Sequence, residues 1–323
     1  MSFKIGNIEI KSKVILAPMA GITSFSYRKF MNKFGCGLTY SEMISDCGLM
    51  YKNQSTLELL QSDGSDRPLA IQLFGGSKET LLKGLQELNS LGIEYDILDL
   101  NLACPVNKVV KGNGGSTWLK NQNLLFDMVS AIVKASTRPV SCKIRLGWDK
   151  INVLETCKTL ERAGVSFIAI HCRTRTQGYT GKPDYEAIKD LKDIIKIPFG
   201  VSGNIFSVED ALNAVKITKA DAVLVARGGI GNPEFITNLN KAFTGEKYNE
   251  IVDFDRQISY LKEYSRDLVK ERGEKKACQY LRGIAPKFFN SISGTKELKN
   301  QITSSLVLLD QLFKIIDNFK INK

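Results

Sequence analysis

Eight short apolar runs rich in β-branched residues constrain the fold of this chain more than any other feature. They fall at residues 14–17, 38–41, 69–73, 97–101, 140–144, 167–171, 199–201 and 222–226, separated by roughly 25 to 40 residues. Several of the stretches between them carry apolar residues at helical spacing, such as Leu81, Leu82, Leu85, Leu88 and Leu91, or Ile151, Val153, Leu154, Cys157 and Leu160 ahead of Gly164. Eight strand–helix units fit a (β/α)8 barrel, whereas a doubly wound sheet has fewer strands and often a glycine fingerprint after the first. The first run leads into Ala17-Pro18-Met19-Ala20-Gly21, which is no such fingerprint. From Lys247 the texture changes to long amphipathic patterns: Ile258, Leu261, Tyr264 and Leu268; Tyr280, Leu281 and Ile284; then Leu306, Leu308, Leu309, Leu312, Ile315, Ile316 and Phe319. The expected architecture is α/β, a TIM barrel over residues 1–243 followed by a small all-helical domain over 247–323.

In such a barrel the loops after the strands form the active face, so what each run delivers to its end matters most. The fourth delivers the most distinctive block, Asp99-Leu100-Asn101-Leu102-Ala103-Cys104-Pro105, followed by Lys108, Lys111 and a cluster of Gly112, Gly114 and Gly115. A strand that hands a thiol to a basic, glycine-rich loop has the layout of a working site. The first run supplies Pro18, Met19 and Ala20, small and apolar enough to lie under a flat ring. The second gives Ser41, Glu42 and Met43, and the third Gln72, an amide that needs partners. In the fifth, Ser141, Lys143 and Arg145 share one face, and a lysine in a barrel strand is costly unless paired or bound to an anion. The sixth ends in His171, the single histidine, followed by Arg173 and Arg175. The seventh and eighth give Ser202-Gly203-Asn204 and Ala226-Arg227-Gly228-Gly229, in the place where barrels commonly hold phosphate. An amide, a lysine, a histidine and a phosphate turn together point to flavin mononucleotide as the cofactor.

The chain has 45 basic and 34 acidic residues, a net charge of +11 and a pI near 9.2. That excess suggests nucleic acid as partner, with a lysine-rich proteome as the bland alternative. No stretch approaches the roughly 18 apolar residues of a membrane span. The seven cysteines are scattered without paired metal-ligand spacing, so free thiols in a cytoplasmic protein without a metal are expected.

Across essentially its whole length the chain resembles the tRNA-dihydrouridine synthases, specifically the bacterial B-type branch. The resemblance is carried by residues 17–23, 71–75 and 99–105 with Lys108 and Val109. It continues through residues 143–148 and 171–175 with Tyr179 and Gly181, then residues 228–233 and 280–283. Three departures are local: Ser202 opens a turn where the family has Asn-Gly-Asp, and Ala226 and Ala103 stand where glycines are usual. The resemblance implies FMN-dependent, NADPH-driven reduction of the C5–C6 double bond of particular uridines in tRNA by a monomeric enzyme. Hydride would come from the flavin N5 and a proton from Cys104. Pro18, Met19, Ala20, Gln72, Lys143, His171, Ser202, Gly203, Asn204, Ala226 and Arg227 would face the cofactor. Asn101, Lys108, Lys111, Arg145, Arg173, Arg175 and Arg282 would face the RNA, with Lys120 and Lys182 also in strand-end loops. Lys108 and Lys111 would favour the thiolate of Cys104, so something must offset them, with phosphate of the bound RNA as the candidate. Two rivals remain: a flavin barrel acting on a free pyrimidine, in the manner of a dihydroorotate dehydrogenase, and a tRNA-binding module without chemistry.

Overall fold

A computed structural model describes residues 2–321. Eight parallel strands form one sheet: β3 (Val14–Leu16), β4 (Thr39–Ser45), β5 (Leu69–Phe74), β6 (Ile97–Leu102), β7 (Val140–Arg145), β8 (Phe167–His171), β9 (Phe199–Ser202) and β10 (Ala222–Val225). They pair in sequence from β4 to β10, and β10 returns to β3. A parallel bridge between Ile15 and Leu38, with the Leu16 N–H donating to the Leu38 carbonyl at 2.9 Å, closes the ring. The expected barrel is the observed fold.

Helices such as Lys78–Ser90, Gln122–Ala135, Val153–Arg162 and Val208–Thr218 pack outside the strands. Each buries the apolar stripe that its periodicity demands, as with Leu81, Leu85 and Leu88. Val153–Arg162 stops just short of Gly164, whose φ of +92° suits a residue without a Cβ.

Two details differ from the sequence reading. The second barrel strand runs on to Ser45, because a register shift between Tyr40 and Met43 lets it continue past Ser41. Glu42 and Met43 therefore sit in the strand itself. Ahead of the barrel, β1 (Phe3–Ile5) and β2 (Ile8–Ile10) form an antiparallel hairpin. Its Ile5 and Ile10 join the barrel-interior residues Ile15, Leu38, Ile97, Phe167 and Leu224 in one cluster, which plugs the end opposite the strand C-termini.

Beyond β10 the described chain is helical: Glu234–Thr244, Phe254–Arg272, Glu274–Ile284, Lys296–Ser305 and Leu309–Asn318. The last apolar pattern begins its helix at Leu309, while Leu306 to Leu308 bridge to the preceding helix. This region shares a core with the barrel helix Phe25–Asn32, where Tyr27 and Phe30 meet Tyr264 at ring separations of 5.8 and 5.6 Å. Helix Phe254–Arg272 ends at the barrel mouth. There Glu271 accepts from the Ser26 N–H at 2.7 Å, and Arg272 lies 3.7 Å from Glu42.

Candidate active site

Three neighbouring strands place polar side chains at one level, since Gln72 on β5 pairs with Asp99 on β6, and Asp99 with Ser141 on β7. All three are fully buried. The Ser141 hydroxyl donates to one Asp99 oxygen at 2.5 Å, and the Gln72 amide nitrogen donates to the other at 2.7 Å. The Asn101 amide nitrogen donates to the Gln72 oxygen at 2.7 Å. The Asn101 oxygen then accepts the backbone N–H groups of Cys104 at 2.9 Å and Ala103 at 3.2 Å. Asn101, expected as a ligand contact, is thus also a clamp on the cysteine loop. Burial lifts the Asp99 carboxyl to about 6 against the opposing pull of its two donors and of Lys143.

The loop is held from a second side. Ser116 donates its N–H at 3.2 Å and its hydroxyl at 3.0 Å to the Cys104 carbonyl. Gly115 makes this approach possible: its φ is +57°, and a Cβ there would stand 2.7 Å from the same carbonyl oxygen. The glycine cluster therefore packs the thiol's loop.

Cys104 is 8% exposed, and burial raises its thiol above the ordinary value, opposed by the Val106 N–H, Arg145 and Lys143. The cations that matter electrostatically are these two, while Lys108 and Lys111 lie on the exposed face of the short helix Asn107–Lys111. The offset that the sequence reading required is desolvation, which here outweighs the nearby positive charge.

A cavity of about 360 Å³ opens at the C-terminal ends of the strands, where barrel enzymes carry their sites. It is lined by Pro18, Met19, Ala20, Gln72, Asn101, Cys104, Lys143, Arg145, His171, the turn 202–206, Ala226 and Arg227. The structure brings together every residue expected to face a cofactor. Sequence reading did not assign a role to Met43, Tyr179, Ile205 or Phe206, which also line it. Tyr179 is exposed, and the guanidinium carbons of Arg145 and Arg227 stand 5.5 and 5.1 Å from its ring. An aromatic next to a strand-end Arg–Thr–Arg segment was the signal that could have found it.

The β8–β10 side of the cavity is cationic. Burial lowers His171 far below its usual value, and Lys143, Arg145, Arg173 and Arg227 push it further, so the imidazole is neutral. Its Nδ1 lies 3.4 Å from the Ser202 hydroxyl, and its buried Nε2 has no protein partner. Burial and Arg145 lower Lys143 to about 8. Gly228 sits so close to the Ile205 carbonyl that a Cβ would approach it to 2.3 Å, and Asn204 adopts a left-handed φ of 49°. An apolar floor from Pro18 and Met19, a lysine, an unpartnered imidazole nitrogen and a glycine turn beside exposed Arg227 fit a flat ligand with an anionic tail.

One expectation is corrected and another narrowed. Arg173 is fully buried, so its guanidinium does not meet RNA, while Arg145, 2% exposed, reaches only the cavity that it lines. Arg145 donates to the carbonyls of Ala103 (2.8 Å), Thr174 (3.0 Å) and Gly178 (2.8 Å). Arg173 donates to the carbonyls of Thr180 and Gly181 and to the Asn204 side chain. Both brace the loops that shape the mouth, because a buried guanidinium demands acceptors and these turns supply carbonyls. Arg282 is half-buried and donates to the Leu306 carbonyl at 2.8 Å, joining two helices of the C-terminal region. Arg175 stacks on Trp148 with its guanidinium carbon 4.5 Å from the ring, and the Lys120 ammonium lies 3.7 Å from the same ring.

A parallel eight-stranded barrel with a cysteine-centred cavity at its strand ends defines a (β/α)8-barrel enzyme. Solved structures agree on the fold: the old yellow enzyme homologue from Zymomonas mobilis superimposes with a TM-score of 0.51 at 13% identity, covering 77% of this chain and 93% of that one. Sequence comparison is more specific. The Dihydrouridine synthase (Dus) family profile matches residues 15–316. Similar proteins include tRNA-dihydrouridine synthase B of Pasteurella multocida, 31% identical over 97% of this chain and 96% of its relative. That of Pseudomonas aeruginosa is 32% identical over 92% and 90%, and a probable tRNA-dihydrouridine synthase of Rickettsia bellii is 33% identical over 84% and 83%. The chain belongs to the dihydrouridine synthase family.

Proposed function

We propose that this enzyme reduces the C5–C6 double bond of uridines in tRNA, with flavin mononucleotide bound in the cavity and NADPH as the external reductant. The observation that carries the reading is the placement of Cys104: a thiol kept protonated by burial, clamped by Asn101 and Ser116, on the rim of a cavity suited to a flat anionic ligand. When bound, the flavin supplies hydride for C6 of the base.

The chain's own residues supply the rest. Cys104 holds a proton at Sγ for delivery to C5, and its raised pKa keeps the acid form dominant at neutral pH. Lys143, charged at pH 7 with a value of about 8, stabilises negative charge on an adjacent ring. Gln72 and neutral His171 offer hydrogen bonds to ring polar atoms, while Arg227 and the turns at Ser202-Gly203-Asn204 and Ala226 receive the phosphate. Asn101 and Lys108, Lys111 and Arg175 face the RNA, whose target base must leave its stack to enter the cavity. We assign catalysis to residues 1–243 and RNA docking to the helical residues 247–323. The helix contact at Glu42 and Arg272 supports this, because it sets the docking surface beside the mouth. Among the described residues no helix is long and apolar enough to cross a membrane, and the seven free cysteines support a reducing cytoplasm.

The test is direct. Purified protein should carry flavin absorbance and form dihydrouridine in unmodified tRNA when given NADPH. A colourless protein that neither binds flavin mononucleotide nor modifies tRNA overturns the reading.

A further inference from the structure

Asp99 takes no part in the chemistry proposed above, yet it anchors a continuous line of side chains from the barrel interior to the thiol loop. An ionised carboxylate can only accept hydrogen bonds. Gln72 must therefore turn its nitrogen to Asp99, which leaves its oxygen for Asn101. Asn101 must in turn donate its nitrogen to Gln72, which leaves its oxygen to receive the N–H groups of Cys104 and Ala103. Ser141 donates to the second Asp99 oxygen and so does not compete for Gln72. Each step is fixed by the one before it, and the first is fixed by the charge.

From this we infer that Asp99 is a positioning residue that sets the donor–acceptor polarity of Gln72 and Asn101, and thereby the placement of Cys104 and the kind of ligand atom the site accepts. Each amide nitrogen has a second hydrogen that no protein group takes, and both residues line the cavity. Both amides therefore present N–H donors, and the wall between β5 and β6 selects ligand rings that bring acceptors, such as carbonyl oxygens, to it. The ligand-selecting half of this inference rests on the function proposed above. The half concerning Cys104 does not.

A carboxylate-relocation cycle tests it. Asn101→Asp places a second acceptor-only group against the Gln72 oxygen, so the line cannot be satisfied from both ends. Adding Asp99→Asn moves the charge to the other end at constant net charge. Gln72 can then reverse, donating to Asp at 101 and accepting from Asn at 99, while the clamp on the Cys104 N–H is restored. The readout is iodoacetamide modification of Cys104, followed by peptide mass spectrometry so that exposed Cys47 is scored separately, together with thermal unfolding of the whole protein. The expected result is that Asn101→Asp speeds Cys104 modification about fivefold, the loss of one well-made hydrogen bond. The double variant should return to within about twofold of the parent and regain its melting temperature, yet remain impaired in tRNA turnover because one cavity-facing donor is gone. A single variant that modifies at the parental rate, or a double variant as fast as or faster than the single, overturns the inference. Absence of flavin binding and turnover in the unaltered protein counts against the proposed function instead, and leaves the modification and melting arms readable.

Discussion

On the β5–β7 side of the barrel mouth the polar side chains Gln72, Asp99, Asn101 and Ser141 are bonded to one another, whereas on the β8–β10 side the groups wait for something from outside. His171 keeps an unpartnered Nε2, Arg227 is exposed, and the 202–204 turn is held open by backbone conformations suited to glycine and asparagine. The first side is rigid because its side chains are bonded to one another, with only one N–H of each amide left over, so it can hold Cys104 in one place. The second is receptive because its capacity is unspent, which is how a site binds a cofactor without first breaking its own bonds. The two sides should thus respond differently to substitution: changes to the clamp on Cys104 should affect turnover and stability, and changes on the second side should affect cofactor retention.

The sharpest way to break this contrast is Cys104→Ala. Removing a positioned proton donor should lower tRNA turnover by about 10²- to 10⁴-fold, with flavin content unchanged because the thiol belongs to the positioning side. Parallel measurement of bound flavin and of dihydrouridine formed separates the two. Loss of flavin in step with activity would show that the halves are not independent.

Asp99 tests the stability of the positioning side. Its folded-state value of about 6 lies above the ordinary carboxyl value near 4, so the fold binds a proton more tightly than the unfolded chain does. Its contribution is therefore most favourable below about pH 4, is lost as pH rises to about 6, and stays constant above that. Asp99→Asn should raise stability at neutral pH by about 2 kcal/mol and flatten the pH 4–6 slope, because the Ser141 hydroxyl can turn to accept. Urea unfolding at several pH values measures both. A variant less stable than its parent at pH 7 would mean that the charge stabilises the fold, and the polar line would then be structural.

On the receptive side, Arg227→Ala removes an exposed cation and no internal hydrogen bond. It should weaken flavin binding about tenfold, the worth of one charge-assisted bond to an anion, and leave the melting temperature of the cofactor-free protein unchanged. Fluorescence titration of stripped protein with flavin mononucleotide gives the first value and thermal unfolding the second.

The barrel was legible because its signal is repeated eight times, each run being buried on both faces and so continuously apolar. The β1–β2 hairpin was not, since two three-residue strands carry too few positions to show a period. The cavity-lining residues were legible because strand ends can be counted, and Lys143 and His171 are unusual residues to find there. The burial of Arg145 and Arg173 was not legible, because most of their partners are main-chain carbonyls of the 174–181 loops, and a carbonyl has no letter in a sequence. Asp99 passed as one member of an alternating run. Only the pairing of β5, β6 and β7 puts Gln72, Asp99 and Ser141 at one level and reveals a polar layer.

The smallest expected effect lies beyond both halves, on the rim, and asks whether the basic surface there serves RNA. Trp148 carries Lys120 and Arg175 against its ring, and Arg175 also reaches Asn107 beside Lys108. Such stacking holds two flexible cations in fixed positions at the mouth, which lowers the ordering cost of meeting a phosphate backbone. Lys120→Ala should weaken tRNA binding only a few-fold at physiological salt, without sequence preference, and should reduce the slope of log affinity against log salt by about 1. Trp148→Leu leaves both charges but frees them, so it should weaken binding with the slope nearly intact. Filter binding over a range of salt concentrations separates the two. If Lys120→Ala leaves the slope unchanged, the stacked cations only brace the loop, and the RNA takes its charge contacts elsewhere.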